Sequence, residues 1–286
     1  MPKRRLTAYL NNMDKRPILF IDSGIGGLPY CRDFLKSNRR EEVCYAADRA
    51  NFPYGQHSKD ELSSILISLT KKLLIKVNPK IVVLACNSAT VSAIEPLRKH
   101  FPGVPFVGTV PAIKPASNYS KRGKVGVLGT TRTIEDPYNQ NLAYECEKKC
   151  EIIGVAAPDL VEFVEKRLDS FDKKDKIVKK EKKEIVKKYI YIFRAEGADC
   201  LVLGCTHFLY LLKEFKKYAF PFIKIFSSLN GVTKRIESLL DANSGALRAD
   251  KKSRPVNKLI LTGNEPADDG WKNRAKKLGF DLYLLD

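Results

Sequence analysis

The chain contains no apolar run approaching the roughly 20 residues that would span a bilayer. Its N-terminus, MPKRRLTAYLNNMDKR, is basic but has no apolar stretch of the secretory kind. Both absences argue for a cytoplasmic protein with no membrane-spanning segment, with a transit peptide at Arg4, Arg5 and Arg16 as the weaker alternative. Histidine is scarce, at three residues, and no CxxC pair occurs, so a clustered metal site is not expected. Seven cysteines form an odd set without regular spacing, which argues against a disulfide scaffold and for reduced thiols. The glycine-rich SGIGG turn lacks the GxGxxG spacing of a dinucleotide site. Acidic residues are outnumbered, 33 against 51 basic ones, for a net charge of +18. That balance raises polyanions as partners, yet no nucleic-acid-binding motif is visible, so nucleic acid is expected only as non-specific binding. Much of the excess lies in DKKDKIVKKEKKEIVKKYIYIFR (172–194), where Ile177, Ile185, Tyr189 and Ile192 mark an apolar stripe among lysines. This reads as the solvated outer face of a helix.

What the chain does have is an alternation of short apolar runs and helical patterns along its 286 residues, enough for roughly two domains of about 150 residues. PILFID (17–22), VCYAA (43–47), IVVLA (81–85), VPFVG (104–108), KVGVLGT (124–130), EIIGVAA (151–157), CLVLG (200–204), KIF (224–226), KLILT (258–262) and DLYLL (281–285) read as strands. Ser58 and Glu61 form a capping box before a helix carrying Leu62, Ile65, Leu66, Leu69 and Leu73. Further helices are expected at about 88–99, 134–149 and across 160–196, and 241–257 reads as one long polar loop. The fold class is α/β, with two similar domains of largely parallel sheets flanked by helices. The expected division is a basic extension over 1–16, a first domain of 17–112 plus 221–286, and a second of 113–220.

Two stretches far apart in the chain repeat one another. IVVLACNSAT and LVLGCTHF each run from a core strand through a small residue to a cysteine, then to polar residues and a helical pattern. A thiol there meets the positive end of the next helix, which favours the thiolate, and it sits where α/β sheets bind ligands. Cys86 and Cys205 are therefore candidate acid–base groups, with His207 placed to exchange a proton. Zinc held by Cys86, Cys205 and His207 is the rival reading, weakened by the missing second histidine. Cys31, Cys44, Cys146, Cys150 and Cys200 read as structural, and His57 and His100 as surface residues. Gly24, Gly26 and Gly27 allow backbone N–H groups to approach an anion, and Asp22 at the strand end can bind an ammonium, orient a base or cap a helix. Two thiols, a carboxylate and an imidazole without metal suit inversion of a stereocentre beside a carboxylate. One base removes the α-proton from one face while an acid delivers a proton to the other, which requires two like groups with separated pKa values.

At FIDSGIGGL, DRANFPYG, LACNSAT, KVGVLGTTRTI and LVLGCTHF the chain resembles glutamate racemases of the aspartate/glutamate racemase superfamily, over about residues 17–237. The resemblance implies a cofactor-independent enzyme, commonly a homodimer, that closes two domains on glutamate and supplies D-glutamate for peptidoglycan. By motif, Cys86 matches the base acting on D-glutamate and Cys205 the base acting on L-glutamate, assisted by Asp22 and His207. Asp22, Ser23, Tyr54, Gly55, Asn87, Ser88, Thr206 and His207 match substrate-binding positions. Glu162 resembles a glutamate bordering the Cys205 side, and Thr130 in VLGTT is a further candidate. The family's CNT reads CNS here, GCTHY reads GCTHF with Phe208, and Ser227 and Ser228 stand where an acidic segment is usual. Some members respond to an anionic cell-wall precursor, which the basic leader would suit. The alternatives are a related racemase acting on aspartate or another α-acidic compound, and a polyanion-binding protein.

Overall fold

Strands that are apolar without alternation need cover on both faces, which parallel sheets between helix layers provide. The computed structural model describes residues 14–136, 150–171, 175–245, 248–249 and 255–285. It has this arrangement twice. The first unit begins β1 (Ile18–Asp22), α1 (Leu28–Ser37), β2 (Val43–Ala47), α2 (Lys59–Val77), β3 (Ile81–Leu84), α3 (Asn87–His100) and β4 (Phe106–Gly108). After α4 (Ile113–Tyr119), the second unit runs β5 (Lys124–Gly129), α5 (Thr131–Glu135), β6 (Glu151–Ala156), α6 (Pro158–Arg167), α7 (Lys176–Ala195) and β7 (Cys200–Leu203). A 3-10 segment (Thr206–Leu211), α8 (Leu212–Ala219) and β8 (Lys224–Phe226) complete it. The chain then returns through α9 (Leu229–Gly245), β9 (Lys258–Thr262), α10 (Asp269–Leu278) and β10 (Asp281–Leu285).

The first sheet has the order β10-β9-β2-β1-β3-β4 and the second β6-β5-β7-β8, and every strand pairing is parallel. In the first sheet the order reverses at β1, between β2 and β3; in the second it reverses at β5, between β6 and β7. Such switch points open a crevice beyond the carboxyl ends of the strands. The sequence puts a cysteine directly after β3 and another after β7.

Strand alternation sends Ile18 and Phe20 into one core and Leu19 and Ile21 into another on the opposite face. The first core is continuous from Tyr30 and Phe34 of α1 to Phe193, Phe208 and Phe215 of the second unit, so apolar contact binds the two units together. The capping box at the start of α2 is formed: Ser58 Oγ accepts from the Glu61 N–H at 3.2 Å, and the Ser58 N–H donates to Glu61 Oε2 at 3.4 Å. Below the first sheet the Lys80 ammonium and Glu41 carboxylate form a buried ion pair at 2.7 Å. Lys80 also donates to the Asp14 carbonyl at 2.8 Å, and Glu41 accepts from the Ala249 N–H at 2.9 Å. Removing one member would leave an uncompensated buried charge, at a cost of about 3–5 kcal/mol.

Several sequence expectations need correction. β8 lies within the 221–286 segment expected for the first domain, yet it pairs with β7 in the second sheet. The crossover back therefore follows Phe226. Where a helix is expected over 134–149, the short α5 ends at Glu135 with Asp136 extended as its C-cap, and residues 137–149 lie outside the described set. The polar stretch expected as a loop from 241 is helical as far as Gly245, because α9 continues through it. On α7 the buried face is Val178, Val186, Tyr189, Ile190 and Phe193, and Ile177 is exposed. Tyr189 is buried as expected, but the rest of the buried stripe lies one residue further on than the isoleucines suggested; most of the lysines face solvent, while Lys182 is covered and pairs with Glu214.

Candidate active site

Cys86 and Cys205 are the residues preceding α3 and the 3-10 segment, and both line one cleft of about 720 Å³ between the units. The volume is that of a small-molecule site. Neither helical start carries a side-chain cap, so its first N–H groups are left for other acceptors. At Cys86 the N–H groups of Ala89 and Ser88 bond to the thiol and favour its thiolate, but burial and the neighbouring Asp22 charge outweigh them. The Cys86 pKa is pushed well above the ordinary thiol value.

Cys205 has a different escort. Its sulfur lies 3.7 Å from His207 Nδ1, and His207 Nε2 lies 2.6 Å from Glu165 Oε1. Burial opposes charge on this imidazole, but its bonds to Cys205 and Glu165 raise its pKa well above the ordinary histidine value. The imidazole thus stands between a sulfur and a carboxylate, both of which favour its protonated form.

Asp22 is wholly buried and does not line the cleft. Its carboxylate accepts from the Gly24 N–H at 2.8 Å and from Thr206 Oγ1 at 3.5 Å. Burial pushes its pKa up to about 6, with the His207 charge and the Gly24 hydrogen bond opposing. The expected direct contact of Asp22 with substrate is thus not what this structure presents, because the SGIGG turn folds over the carboxylate. That turn also carries Gly26, where a Cβ would stand 2.4 Å from Thr206 Oγ1 and 2.6 Å from His207 Nδ1. Only a residue without a side chain lets the two turns meet there.

The other expected residues converge on the cleft. Ser23, Tyr54, Gly55, Asn87, Ser88, Thr130, Thr206 and His207 all line it. Ser88 Oγ lies 3.3 Å from Thr130 Oγ1, and Asn87 Nδ2 donates to the Gly204 carbonyl, so both residues tie one unit to the other. Asn87 Oδ1 is buried with no protein partner. Tyr54 donates to Asp48 Oδ2 at 2.8 Å, and Asp48 Oδ1 accepts from Thr262 Oγ1 at 2.6 Å. This anchors the FPYG loop to β9, a residue pair the sequence reading did not single out.

Glu162 lines the cleft as expected, but its carboxylate pairs with Lys166. The carboxylate that reaches His207 is Glu165, missed in the sequence although it lies one turn on along the same helix face. Phe208 is fully buried in the shared core and Ser228 bonds to Tyr30 at 2.6 Å, so these two departures from the family pattern lie outside the cleft, whereas Ser88 lines it. Cys31, Cys44 and Cys200 are buried, and Cys150 is half-buried with its thiol 3.6 Å from the Ser117 carbonyl; Cys146 lies outside the described residues. Burial raises the pKa of Cys31, and that of Cys44 to about 12, leaving both thiols inert. His57 is partly exposed with its Nδ1 2.9 Å from Glu61 Oε1, and His100 is exposed; neither lines the cleft. Among the described residues no group of three or more histidine, cysteine or acidic side chains could hold a metal, and no helix is long and apolar enough to cross a membrane.

The chain is similar to known racemases along most of its length. The glutamate racemase of Bartonella tribocorum is 35% identical over 230 residues, which cover 80% of this chain and 82% of that protein. That of Shewanella piezotolerans is 35% identical over 264 residues, covering 92% and 94%. The crystal structure of Escherichia coli glutamate racemase in complex with L-glutamate and the activator UDP-MurNAc-Ala superposes with a TM-score of 0.77 at 26% identity, covering 94% of this chain and 97% of that one. The model of the Asp/Glu/hydantoin racemase family matches residues 31–228, and with these relatives it establishes that the chain belongs to that family.

Proposed function

We propose that this protein interconverts L-glutamate and D-glutamate by two-base proton transfer between Cys86 and Cys205, without a cofactor. The observation that carries the reading is the presence of both thiols on one cleft, each following a strand at a switch point. Glutamate brings one ammonium and two carboxylates. The unpartnered Asn87 Oδ1 can accept from the ammonium. The hydroxyls of Ser23, Ser88, Thr130 and Thr206 and the uncapped N–H groups of α3 can donate to the carboxylates. These donors must also stabilise the carbanion formed when the α-proton leaves.

In the direction from L to D, the Cys205 thiolate takes the α-proton and the Cys86 thiol gives one to the opposite face. The reverse direction exchanges the roles. His207, positioned by Glu165, supplies the positive charge that balances a thiolate at Cys205. Asp22 acts through its neighbours, since its charge disfavours a thiolate at Cys86. Residues 17–112 with the segment after Phe226 form one domain in this reading, and 113–226 the other. The setting in this reading is a cytoplasmic homodimer supplying D-glutamate for peptidoglycan, as the family resemblance implies.

The test is α-proton exchange in D2O. Wild type should label both enantiomers and racemise each. Cys86→Ala should lose racemisation but retain exchange into L-glutamate without inversion, and Cys205→Ala should retain it only for D-glutamate. Full racemisation by either variant would falsify the two-thiol reading.

A further inference from the structure

The second sheet has another end, away from the cleft, where the loops entering β5, β7 and β8 form a rim. There Phe220 is 79% exposed, Phe222 56%, Tyr191 75% and Tyr119 54%. Clustered large apolar side chains on a surface mark an interaction site, whereas single ones are ordinary. Here they are interleaved with cations. The Arg194 guanidinium lies 4.2 Å over the Phe222 ring, and the Lys224 ammonium 5.8 Å over that of Tyr119. The neighbouring anions are engaged: Asp199 accepts from Ser120 Oγ and from the N–H groups of Lys121 and Arg122, and Glu151 pairs with Lys124 at 3.2 Å.

The rim is apolar at its tip and positive around it, and this decides among partners. A second copy docking face to face would bring like charges together. A nucleic acid needs aromatic faces on which to stack, and Arg194 already covers one face of Phe222. Protruding phenylalanines within a collar of lysine and arginine suit a bilayer surface, where rings enter the headgroup region and cations meet lipid phosphates. We propose that this rim docks the protein on an anionic membrane surface through Phe220 and Phe222, with Arg194 and Lys224 bound to lipid phosphate. Because the cysteines lie at the opposite ends of the strands, docking leaves the cleft open to solvent.

The test uses the full chain with vesicles of phosphatidylglycerol and phosphatidylcholine in equal parts, and with phosphatidylcholine alone. The protein should co-sediment only with the anionic vesicles, and less so as salt rises. Phe220→Ser/Phe222→Ser should lower partitioning roughly tenfold or more, with circular dichroism and glutamate turnover unchanged. Lys179→Glu/Lys183→Glu, on the exposed face of α7 several turns before Arg194, should reduce it far less. The proposal is overturned if the wild type ignores anionic vesicles, or if the double phenylalanine variant sediments as wild type does. It is equally overturned if that variant instead loses binding to a single-stranded oligonucleotide or self-association in the ultracentrifuge. A chain that docks on vesicles but leaves glutamate unchanged would sink only the assignment made for the cleft.

Discussion

The turns at Cys86 and Cys205 begin alike and end differently. Each follows a buried parallel strand, and each cysteine starts a helical segment that lacks a side-chain cap. After Cys86 comes a helix of 14 residues whose first N–H groups face the sulfur; after Cys205 comes a short 3-10 segment that brings His207 to Glu165. One thiol has backbone dipoles and a buried carboxylate beside it, and the other has an imidazole backed by Glu165. A racemase needs this inequality. Its substrate and product are mirror images, but one thiol must hold a proton while the other lacks it. Because enantiomers are equally stable, kcat/KM must fall together in both directions for any variant. The inequality is therefore read in one-sided exchange, pH profiles and stability.

The comparison breaks most completely where the turns touch. At Gly26 an added methyl would displace Thr206 and His207 by an ångström or more, on the Cys205 side alone. Gly26→Ala should lower turnover at least a hundredfold, roughly the cost of misplacing a catalytic group by that distance. Exchange into D-glutamate, which the resemblance assigns to Cys86, should suffer less than exchange into L-glutamate. Equal losses on both sides would show that the turn orders the whole cleft and not one half of it.

Much of this was legible in the sequence because it is local. Continuous apolar runs dictate parallel strands, Ser58 and Glu61 dictate a cap, and the repeat of strand, small residue and cysteine dictates where the thiols stand. What could not be read depends on long-range packing. Glu162 and Glu165 share a helix face, and only the docking of α6 on the 3-10 segment decides which one meets His207. Asp22 marks a strand end in the sequence, but the fold of SGIGG over it determines that it is buried away from the cleft. The brief strand Lys224–Phe226 carries too few residues to announce which sheet it joins.

Asp22 offers the next test, on the Cys86 side. Burial raises its pKa from 3.8 to about 6. The folded state therefore holds this proton more tightly than the unfolded state does. The associated stability is fully present below pH 3.8 and is lost as pH rises through about 6. Above that range the wild type carries a buried anion, at a penalty of at most about 3 kcal/mol. Asp22→Asn keeps an acceptor for the Gly24 N–H and turns an amide N–H toward the Thr206 hydroxyl, reversing that bond, but it cannot ionise. Its melting temperature relative to wild type should thus rise between pH 4 and pH 7.5. A difference that stays flat with pH would mean that folding does not raise the Asp22 pKa.

The smallest expected effect separates two glutamates one helical turn apart. Glu165 contacts His207 at 2.6 Å, whereas Glu162 lines the cleft with its charge neutralised by Lys166. In Glu165→Gln one of the two partners that raise the His207 pKa is lost, so its imidazole should titrate at lower pH by NMR. With less positive charge beside Cys205, turnover should fall by roughly tenfold, and by more at alkaline than at neutral pH. Glu162→Gln should leave the histidine titration in place and change turnover by less than about twofold, since an exposed ion pair contributes little. If instead Glu162→Gln moved the His207 titration and Glu165→Gln did not, the carboxylate on the Cys205 side would be the one expected from the family pattern. The charge relay of that half-site would then have to form through a closure of α6 onto the cleft.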